Sequence, residues 1–263
     1  MRYLFILSLL VSSCVSLKAP EKIIAEDNLY INIASPTHMG IDAVGNFYIV
    51  QSNRLLIKYN KQGEKQITYD EQALGMISSI AVQNPLYIML HYQESKTIIF
   101  LDRNFLVLQQ ISYENWTEDD VTAAHIANDN NIWLYNNTKR KLQKYTLDGK
   151  LIVESFDLYG LTQHNLFFDQ IIEFENSVYL KNIDGNVCIL DNLGRYIKDF
   201  PSKVSSNLSY SLVGINTIQN EKISLNIFDE VNQKQIETDV LPSFFSLFNG
   251  DIYGVYENGI AKL

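Results

Sequence analysis

The chain has 263 residues, of which 46% are hydrophobic and 19% are charged. This is enough apolar material for one large core and argues against a disordered polymer. Thirty acidic residues against 21 basic ones give a net charge of -9, which repels phosphate backbones and therefore argues against nucleic acid as a partner.

The first 13 residues have the features of a secretory signal peptide. They carry a positive charge at Arg2, an apolar run over Leu4–Val11 and two small residues before Cys14. The apolar run is much shorter than the roughly 20 residues that span a bilayer, so we expect no transmembrane helix here or in any later segment. The sequence therefore predicts export.

The stretch Val11-Ser12-Ser13-Cys14 resembles the lipobox of bacterial lipoproteins. The resemblance implies cleavage before Cys14 and diacylation of that cysteine, whereas the alternative is an ordinary signal peptide with a chance cysteine. Residues 14–21 would then form the lipidated N-terminus and its tether. In lipoproteins of the Bacteroidota, surface export is associated with acidic residues soon after the cysteine. Here the first acid is Glu21, so the resemblance implies the periplasmic face of the outer membrane rather than the cell surface.

Six similar segments recur from residue 22 onward, each a polar pair followed by alternating apolar residues. Equivalent apolar positions are separated by 39, 46, 46, 45 and 29 residues, a spacing typical of repeat architectures. The segments are Gly45–Val50, Asn84–Met89, Asn130–Tyr135, Asn176–Lys181, Glu221–Asn226 and Gly250–Val255.

A β-hairpin pattern follows each of the first four segments. The hairpins are Leu56–Lys65, Ile98–Val107, Leu142–Leu151 and Cys188–Ile197, with Gly63, Asn104, Gly149 and Gly194 where a turn needs positive φ. An apolar strand precedes each polar pair, so each repeat contains four antiparallel strands, which is the geometry of a β-propeller blade. No stretch has a helical period. We therefore predict an all-β protein with a single β-propeller domain at residues 22–263.

Six blades are the preferred number. The fifth repeat, Leu212 to Leu241, has room for only three strands, so five or seven blades remain alternatives. The chain ends at Gly259–Leu263, which aligns with the third strand of a blade. We expect the segment Lys22–Ile33 to supply the missing outer strand, because pairing the two ends of the chain would remove an exposed sheet edge.

The turn Asp42-Ala43-Val44-Gly45-Asn46-Phe47-Tyr48 and the glycine hairpins resemble the repeats of six-bladed NHL and TolB-like propellers. The resemblance is greatest to the small propeller lipoproteins of Bacteroidota. It implies six blades and a place in the cell envelope. This group uses its blades for many unrelated tasks, so the resemblance transfers no active residue.

The sequence contains no recognisable catalytic or metal-binding motif. The four histidines, His38, His91, His125 and His164, have no metal-ligand spacing, and there is no nucleophile elbow or phosphate loop. His125 is expected to be a hydrogen-bonded packing residue. Cys188 lies in an apolar strand and is expected in the core, without a disulfide. We therefore expect a protein without enzymatic activity, catalytic residues, cofactor or metal.

The loops after the second strand of each blade are rich in Tyr, Asn, Lys and Arg, which suits a contact surface, although plain turns are the alternative. His38 begins the first inner strand and would lie near the axis. The long loops Tyr113–Asp120 and Asp157–Phe167 are secondary candidates. The candidate binding residues are His38, His91, Tyr92, Tyr135, Asn136 and Arg140.

Three functions are compatible with these observations. The first is a non-enzymatic, lipid-anchored propeller that acts as a protein-interaction subunit of an outer-membrane transport or secretion complex. The second is a propeller that binds a glycan or another small ligand in the axial funnel near His38. The third is a propeller-type hydrolase or lyase, which would need a central metal or a cluster of His, Tyr and Arg.

Overall fold

A computed structural model describes residues 29–162, 164–200, 208–211, 214–219, 221–229 and 231–263. These residues form six four-stranded antiparallel sheets, arranged as the blades of a propeller. The predicted all-β fold with six blades is therefore confirmed. The described residues include no helix long and apolar enough to cross a membrane, and the 3₁₀ turn Gln72–Leu74 is short.

The strands follow one another blade by blade, and the first strand of each blade lies nearest the axis. Blade 1 contains β2 (Pro36–Ile41), β3 (Phe47–Gln51), β4 (Leu55–Tyr59) and β5 (Lys65–Tyr69). Blade 2 contains β6 (Ser79–Ala81), β7 (Ile88–Tyr92), β8 (Thr97–Leu101) and β9 (Val107–Ser112). Blade 3 contains β10 (Val121–Ile126), β11 (Ile132–Asn136), β12 (Lys141–Tyr145) and β13 (Leu151–Glu154).

The second half of the chain repeats this order. Blade 4 contains β14 (Phe168–Phe174), β15 (Ser177–Asn182), β16 (Val187–Asp191) and β17 (Tyr196–Phe200). Blade 5 contains β18 (Ser209–Ser211), β19 (Gly214–Gln219), β20 (Lys222–Leu225) and β21 (Lys234–Ile236). Blade 6 contains β22 (Phe244–Phe248), β23 (Asp251–Tyr256), β24 (Gly259–Lys262) and, as its outer strand, β1 (Ile31–Asn32).

The core lies between neighbouring blades. The second and third strands are largely buried on both faces, as in β7 and β8, where every residue is buried. The outer strands are more exposed and more polar, as in β5. Each apolar cluster joins adjacent blades; for example, Met89 and Phe100 of blade 2 pack with Ile132 and Leu134 of blade 3. Burial of these side chains holds each blade against the next.

In blades 1 to 4, the hairpins between third and fourth strands share one turn, in which a side chain caps the backbone. In blade 4, the Asp191 carboxylate accepts hydrogen bonds from the backbone N–H of Leu193 and of Arg195, at 3.0 and 2.8 Å. The expectation that Asn104 has positive φ is wrong, because Phe105 takes that conformation, at φ 62°. Phe105 is buried against Tyr48, and this packing offsets the strained backbone of a non-glycine residue.

Blade 5 corrects another expectation. It has four strands rather than three, and the segment Glu221–Asn226 contains its third strand rather than its second. The inner strand β18 and the second strand β19 are separated by only two residues, so that the sequence pattern merges them into one apolar stretch. The apolar strand predicted to precede the polar pair of the fifth repeat is therefore the observed second strand, β19.

The two ends of the chain close the ring, as predicted. Ile31 and Asn32 of β1 pair with Ile260 and Gly259 of β24, and the N–H of Tyr30 donates to the Ile260 carbonyl at 2.7 Å. This completes blade 6 with an N-terminal outer strand and confirms that the chain ends on a third strand. The pairing covers the edge that β24 would otherwise expose.

The antiparallel order gives the propeller two different faces. The loops between blades and the loops after each second strand lie together on one face, which we call the upper face. Backbone hydrogen bonds join them, from Ile77 N to Asn53 O at 2.7 Å and from Tyr113 N to Lys96 O at 3.0 Å. The remaining turns form the lower face. Tyr30 enters β1 from the lower face, where its hydroxyl donates to a carbonyl of a turn in blade 1.

Closure can be tested at Gly259, where an added Cβ would lie 2.2 Å from the carbonyl oxygen of Ile31. We expect Gly259→Ala to lower the free energy of unfolding by about 1–3 kcal/mol, because β1 must shift away from β24. Limited proteolysis should then cleave the chain faster near Tyr30. The control is Gly250→Ala in the same blade, which also places a side chain at positive φ, 87°, but has nothing within 4 Å of the added Cβ. Equal protection of Tyr30 in both variants would contradict this account of closure.

Candidate functional site

Four of the six predicted binding residues lie inside the protein. His91 is buried, and its Nε2 lies 2.9 Å from the hydroxyl oxygen of Tyr113. Burial lowers the pKa of His91 to about 3, so its imidazole is neutral at pH 7. Tyr92 is also buried, and its hydroxyl has no hydrogen-bond partner in the described structure. Both residues end β7, and they pack between blades rather than forming a contact surface.

Tyr135 and Asn136 end β11 in the same way. The Tyr135 hydroxyl donates to the carbonyl of Leu166 at 2.8 Å, so it helps to hold the loop that precedes blade 4. The Asn136 amide donates to the Asp119 carboxylate at 2.9 Å and accepts from the N–H of Lys139 at 2.9 Å. Residues that look like an exposed polar loop in the sequence are therefore the buried supports of the upper face.

Arg140 is the predicted residue that does reach the surface. Its guanidinium binds both carboxylate oxygens of Asp157, at 3.0 and 2.6 Å, and lies 5.4 Å from the centre of the Tyr159 ring. This bidentate pair holds the pKa of the Asp157 carboxyl below its ordinary value. The three side chains join blade 3 to the loop that leads into blade 4.

That loop exposes an unusual amount of apolar surface. Phe156, Tyr159 and Leu161 are 79%, 75% and 41% exposed, respectively. Phe167 and Ile183 are exposed nearby and adjacent to each other, since the Ile183 N–H donates to the Phe167 carbonyl at 3.2 Å. The sequence marks this loop only by its length, since apolar residues in a loop give no sign of whether they are buried.

The 155–162 loop is firmly anchored at its centre. Leu158 is fully buried among the apolar residues of blades 3 and 4, and its N–H donates to the carbonyl of Arg140 at 3.0 Å. Ser155 exchanges hydrogen bonds with the backbone of Leu142, at 2.9 and 3.0 Å. The exposed Phe156 and Tyr159 flank this anchor, so the loop presents them from a fixed backbone.

His38 lies near the axis, as expected. It is half-buried, its Nε2–H donates to the Ser78 carbonyl at 3.1 Å, and burial lowers its pKa. It lines a cavity of about 280 Å³ that opens toward the upper face, and we call this the upper cavity. Polar side chains such as Gln93, Thr122 and Asp169 share the lining. The axial channel is therefore polar, and it does not bring His38 near the other predicted residues.

Cys188 is a buried free thiol in the core, as predicted, and burial raises its pKa. His125 donates a hydrogen bond from Nδ1 to the Ile126 carbonyl at 2.6 Å, as expected of a packing residue, but it also lines the channel. Within the described ranges, no three His, Cys, Asp or Glu side chains lie close enough to share a metal ion. Cys14 lies outside the described residues.

Comparison with known proteins supports the fold. No model of a known protein family matches the chain, and no curated protein does. Among solved structures, the chain resembles the WD40 domain of Pan2 from Neurospora crassa at 9% identity, with 89% of this chain and 93% of that chain covered and a TM-score of 0.61. It also resembles a catalytically inactive virginiamycin B lyase from Staphylococcus aureus with quinupristin, at 13% identity, 88% and 86% coverage and a TM-score of 0.59. A streptogramin B lyase matches at 13% identity, 86% and 78% coverage and a TM-score of 0.57. At these identities the similarity establishes the propeller alone.

The buried state of His91 predicts a pH dependence. Its pKa is about 3 in the folded protein against 6.5 ordinarily, so the unfolded chain binds more protons between these values. The free energy of unfolding should therefore fall as pH falls below 6.5. His125, with a pKa of about 4, adds to the same trend. We expect His91→Gln to reduce the slope between about pH 6 and pH 5 by roughly 1.4 kcal/mol per pH unit, measured by urea unfolding. An unchanged slope would show that the pKa of His91 is not lowered in the folded protein.

Proposed function

We propose that this protein is a non-enzymatic, lipid-anchored propeller of the bacterial cell envelope that docks onto another envelope protein through its upper face. The observation that carries the proposal is the exposed apolar surface of the 155–162 loop, with Phe156 and Tyr159 each more than 70% exposed. Exposed large apolar side chains that lie close together in one loop are a feature of interaction sites in soluble proteins. The partner would be a protein such as a subunit of an outer-membrane transport or secretion complex.

The composition of the loop matches the anatomy of a protein interface. Interfaces are enriched in aromatic residues and Arg at their centre and are polar at their rim. Here Phe156 and Tyr159 provide the aromatic area, and the Arg140–Asp157 pair lies beside them. A partner would have to offer an apolar surface large enough to cover two aromatic rings and a hydrogen-bond partner for the Tyr159 hydroxyl.

The loop is also preorganised, and this bears on affinity. Binding a mobile loop costs conformational entropy, whereas a loop already held in place loses little on association. The buried Leu158 and the bidentate contact between Arg140 and Asp157 hold the backbone on both sides of the exposed rings. Little conformational entropy would therefore be lost when a partner covers the two rings, so most of the free energy gained by burying them would go into affinity.

The anchor and the docking surface would lie at opposite faces. The proposed signal peptide is residues 1–13, and residues 14–21 would be the lipidated N-terminus and its tether. Tyr30, the residue before β1, lies at the lower face, so we would place the proposed anchor on that side of the propeller. The upper face would then point away from the membrane, toward a partner in the periplasm.

The docking surface can be tested with Phe156→Ser/Tyr159→Ser. Truncating two aromatic hot spots typically costs about 2–4 kcal/mol, so we expect at least a tenfold loss of partner in an affinity pull-down from detergent-solubilised envelope of the native host. Thermal unfolding should change little, because both rings are exposed and the variant keeps the Arg140–Asp157 pair and the buried Leu158 that anchor the loop. The matched control is Leu106→Ser/Leu193→Ser, which removes two exposed apolar residues from lower-face turns. Recovery that is equal for both variants, or no partner with the unmodified protein, would overturn the proposal.

The anchor has its own test. We expect Cys14→Ala to abolish diacylation and to shift the protein from the membrane fraction to the soluble fraction, with no acyl mass on the purified chain. Cys188→Ala is the control, since it removes the other cysteine, which lies in the core. Membrane association that persists in Cys14→Ala would refute the lipid anchor and would leave the docking surface to be judged by the pull-down alone.

A further inference from the structure

The axial channel has a lower half that the docking surface does not use. The upper cavity adjoins a second cavity of about 130 Å³, which we call the lower cavity. All six inner strands contribute to its lining, and Asp169, Ser209 and Ser246 line both cavities. Each inner strand is the edge of its sheet, so its backbone groups on the axial side are not paired within the blade. The channel is therefore an intrinsically polar space.

Three side chains in the lower cavity have hydrogen-bonding capacity to spare. The ammonium group of the buried Lys181 binds Oδ1 of Asp169 at 2.8 Å, while Oδ2 has no hydrogen-bond partner among the described residues and the Asp169 side chain is 38% exposed. The hydroxyl oxygen of Ser209 is buried and has no partner among those residues either. A buried polar atom without a partner, as in the Ser209 hydroxyl, is rare in folded proteins, because it costs free energy comparable to a lost hydrogen bond.

His125 provides the third group. Its side chain is 9% exposed, and its Nδ1–H is committed to the carbonyl of Ile126 at 2.6 Å. This hydrogen bond fixes the tautomer, so Nε2 carries a lone pair and acts as an acceptor. Burial lowers the pKa of His125 to about 4, which keeps Nε2 unprotonated at neutral pH. In the part of the chain that the structure describes, Nε2 has no partner.

These groups specify the chemistry of a ligand. A carboxylate oxygen and an imidazole nitrogen accept hydrogen bonds, and a hydroxyl can accept one as well, so the ligand must present several donors. An organic cation would supply donors but would meet the Lys181 ammonium, which already lies 2.8 Å from Asp169. Neutral hydroxyl groups supply the same donors without that repulsion. Apolar side chains such as Met39, Ile80 and Ile171 complete the wall and can face C–H groups.

We propose that the lower half of the axial channel binds a small neutral polyol of about the size of a monosaccharide, with its hydroxyl groups on Asp169, His125 and Ser209. The cavity is smaller than the roughly 300–1,000 Å³ that hold drug-sized ligands, which limits the ligand to one ring or a short alditol. The ligand enters from the upper face through the upper cavity, past His38. This site is separate from the docking surface, so either can exist without the other.

The test uses the purified, folded chain and a defined set of probes: glucose, galactose, N-acetylglucosamine, myo-inositol and xylitol as neutral polyols, and putrescine as a cation. Binding is measured by isothermal titration calorimetry and by saturation-transfer NMR. We expect at least one neutral polyol to bind, and putrescine to show no binding. No polyol binding at millimolar concentration, or binding of putrescine in preference to every polyol, would overturn the proposal.

Variants then locate the site. Ser209→Ala removes a hydroxyl that has no partner in the described structure, so it should leave thermal stability unchanged. The dissociation constant of the polyol should rise at least threefold. His125→Phe and the paired change Asp169→Asn/Lys181→Met should each weaken binding at least tenfold. The paired change avoids leaving Lys181 buried without a partner. Asp184→Asn, an exposed carboxylate on the upper face, is the control. Polyol affinity that is unchanged in Ser209→Ala and His125→Phe would place binding elsewhere and refute the assignment.

Discussion

Closure of the ring by β1 and β24 is the constraint on which the rest of the structure depends. Each blade buries its apolar faces against two neighbours, and blade 6 meets blade 1 only if the circle is complete. Tyr30, just before β1, packs on Tyr253 of blade 6 and Phe47 of blade 1, so the N-terminal strand also joins the two blades through aromatic contacts. Without β1, an edge would be exposed and this interface would lose part of its core.

Closure has a second consequence at the axis, because it brings six sheet edges close together. Side chains of one inner strand reach across to the backbone of the next blade and satisfy groups that no strand pairs. These contacts are His38 Nε2 to Ser78 O, Ser79 Oγ to Ala124 O, Thr122 Oγ1 to Phe168 O, and Gln170 with both backbone groups of Leu208. They explain why Ser, Thr, His and Gln occur on strands that are otherwise apolar, and why the channel remains polar.

Much of the fold follows from the sequence, whereas the site does not. The spacing of the repeats and the hairpin glycines predict the blades, and the third-strand position of Gly259–Leu263 predicts closure, because both depend on local periodicity. Burial of loop residues depends on the neighbouring blade, which no local pattern shows. Asn136 and Tyr135 look like an exposed recognition loop but support the loops around them, while the exposed Phe156 and Tyr159 look like core residues. Asp169 and Ser209 come together only at the axis, from blades 4 and 5.

The loop on the upper face and the channel are supported by the same segment of chain. The chain leaves the exposed rings of the loop, passes Leu166, whose carbonyl binds Tyr135, and enters β14. There Phe168 packs against the ring of Tyr135, and its carbonyl accepts from Thr122. The next residue, Asp169, faces the channel. The Tyr135 and Thr122 contacts both come from blade 3. The interface between blades 3 and 4 therefore holds both the loop and the start of β14, which lines the channel. A change that repacks Phe168 would disturb both surfaces, whereas changes at Phe156 or Ser209 alter one surface at a time.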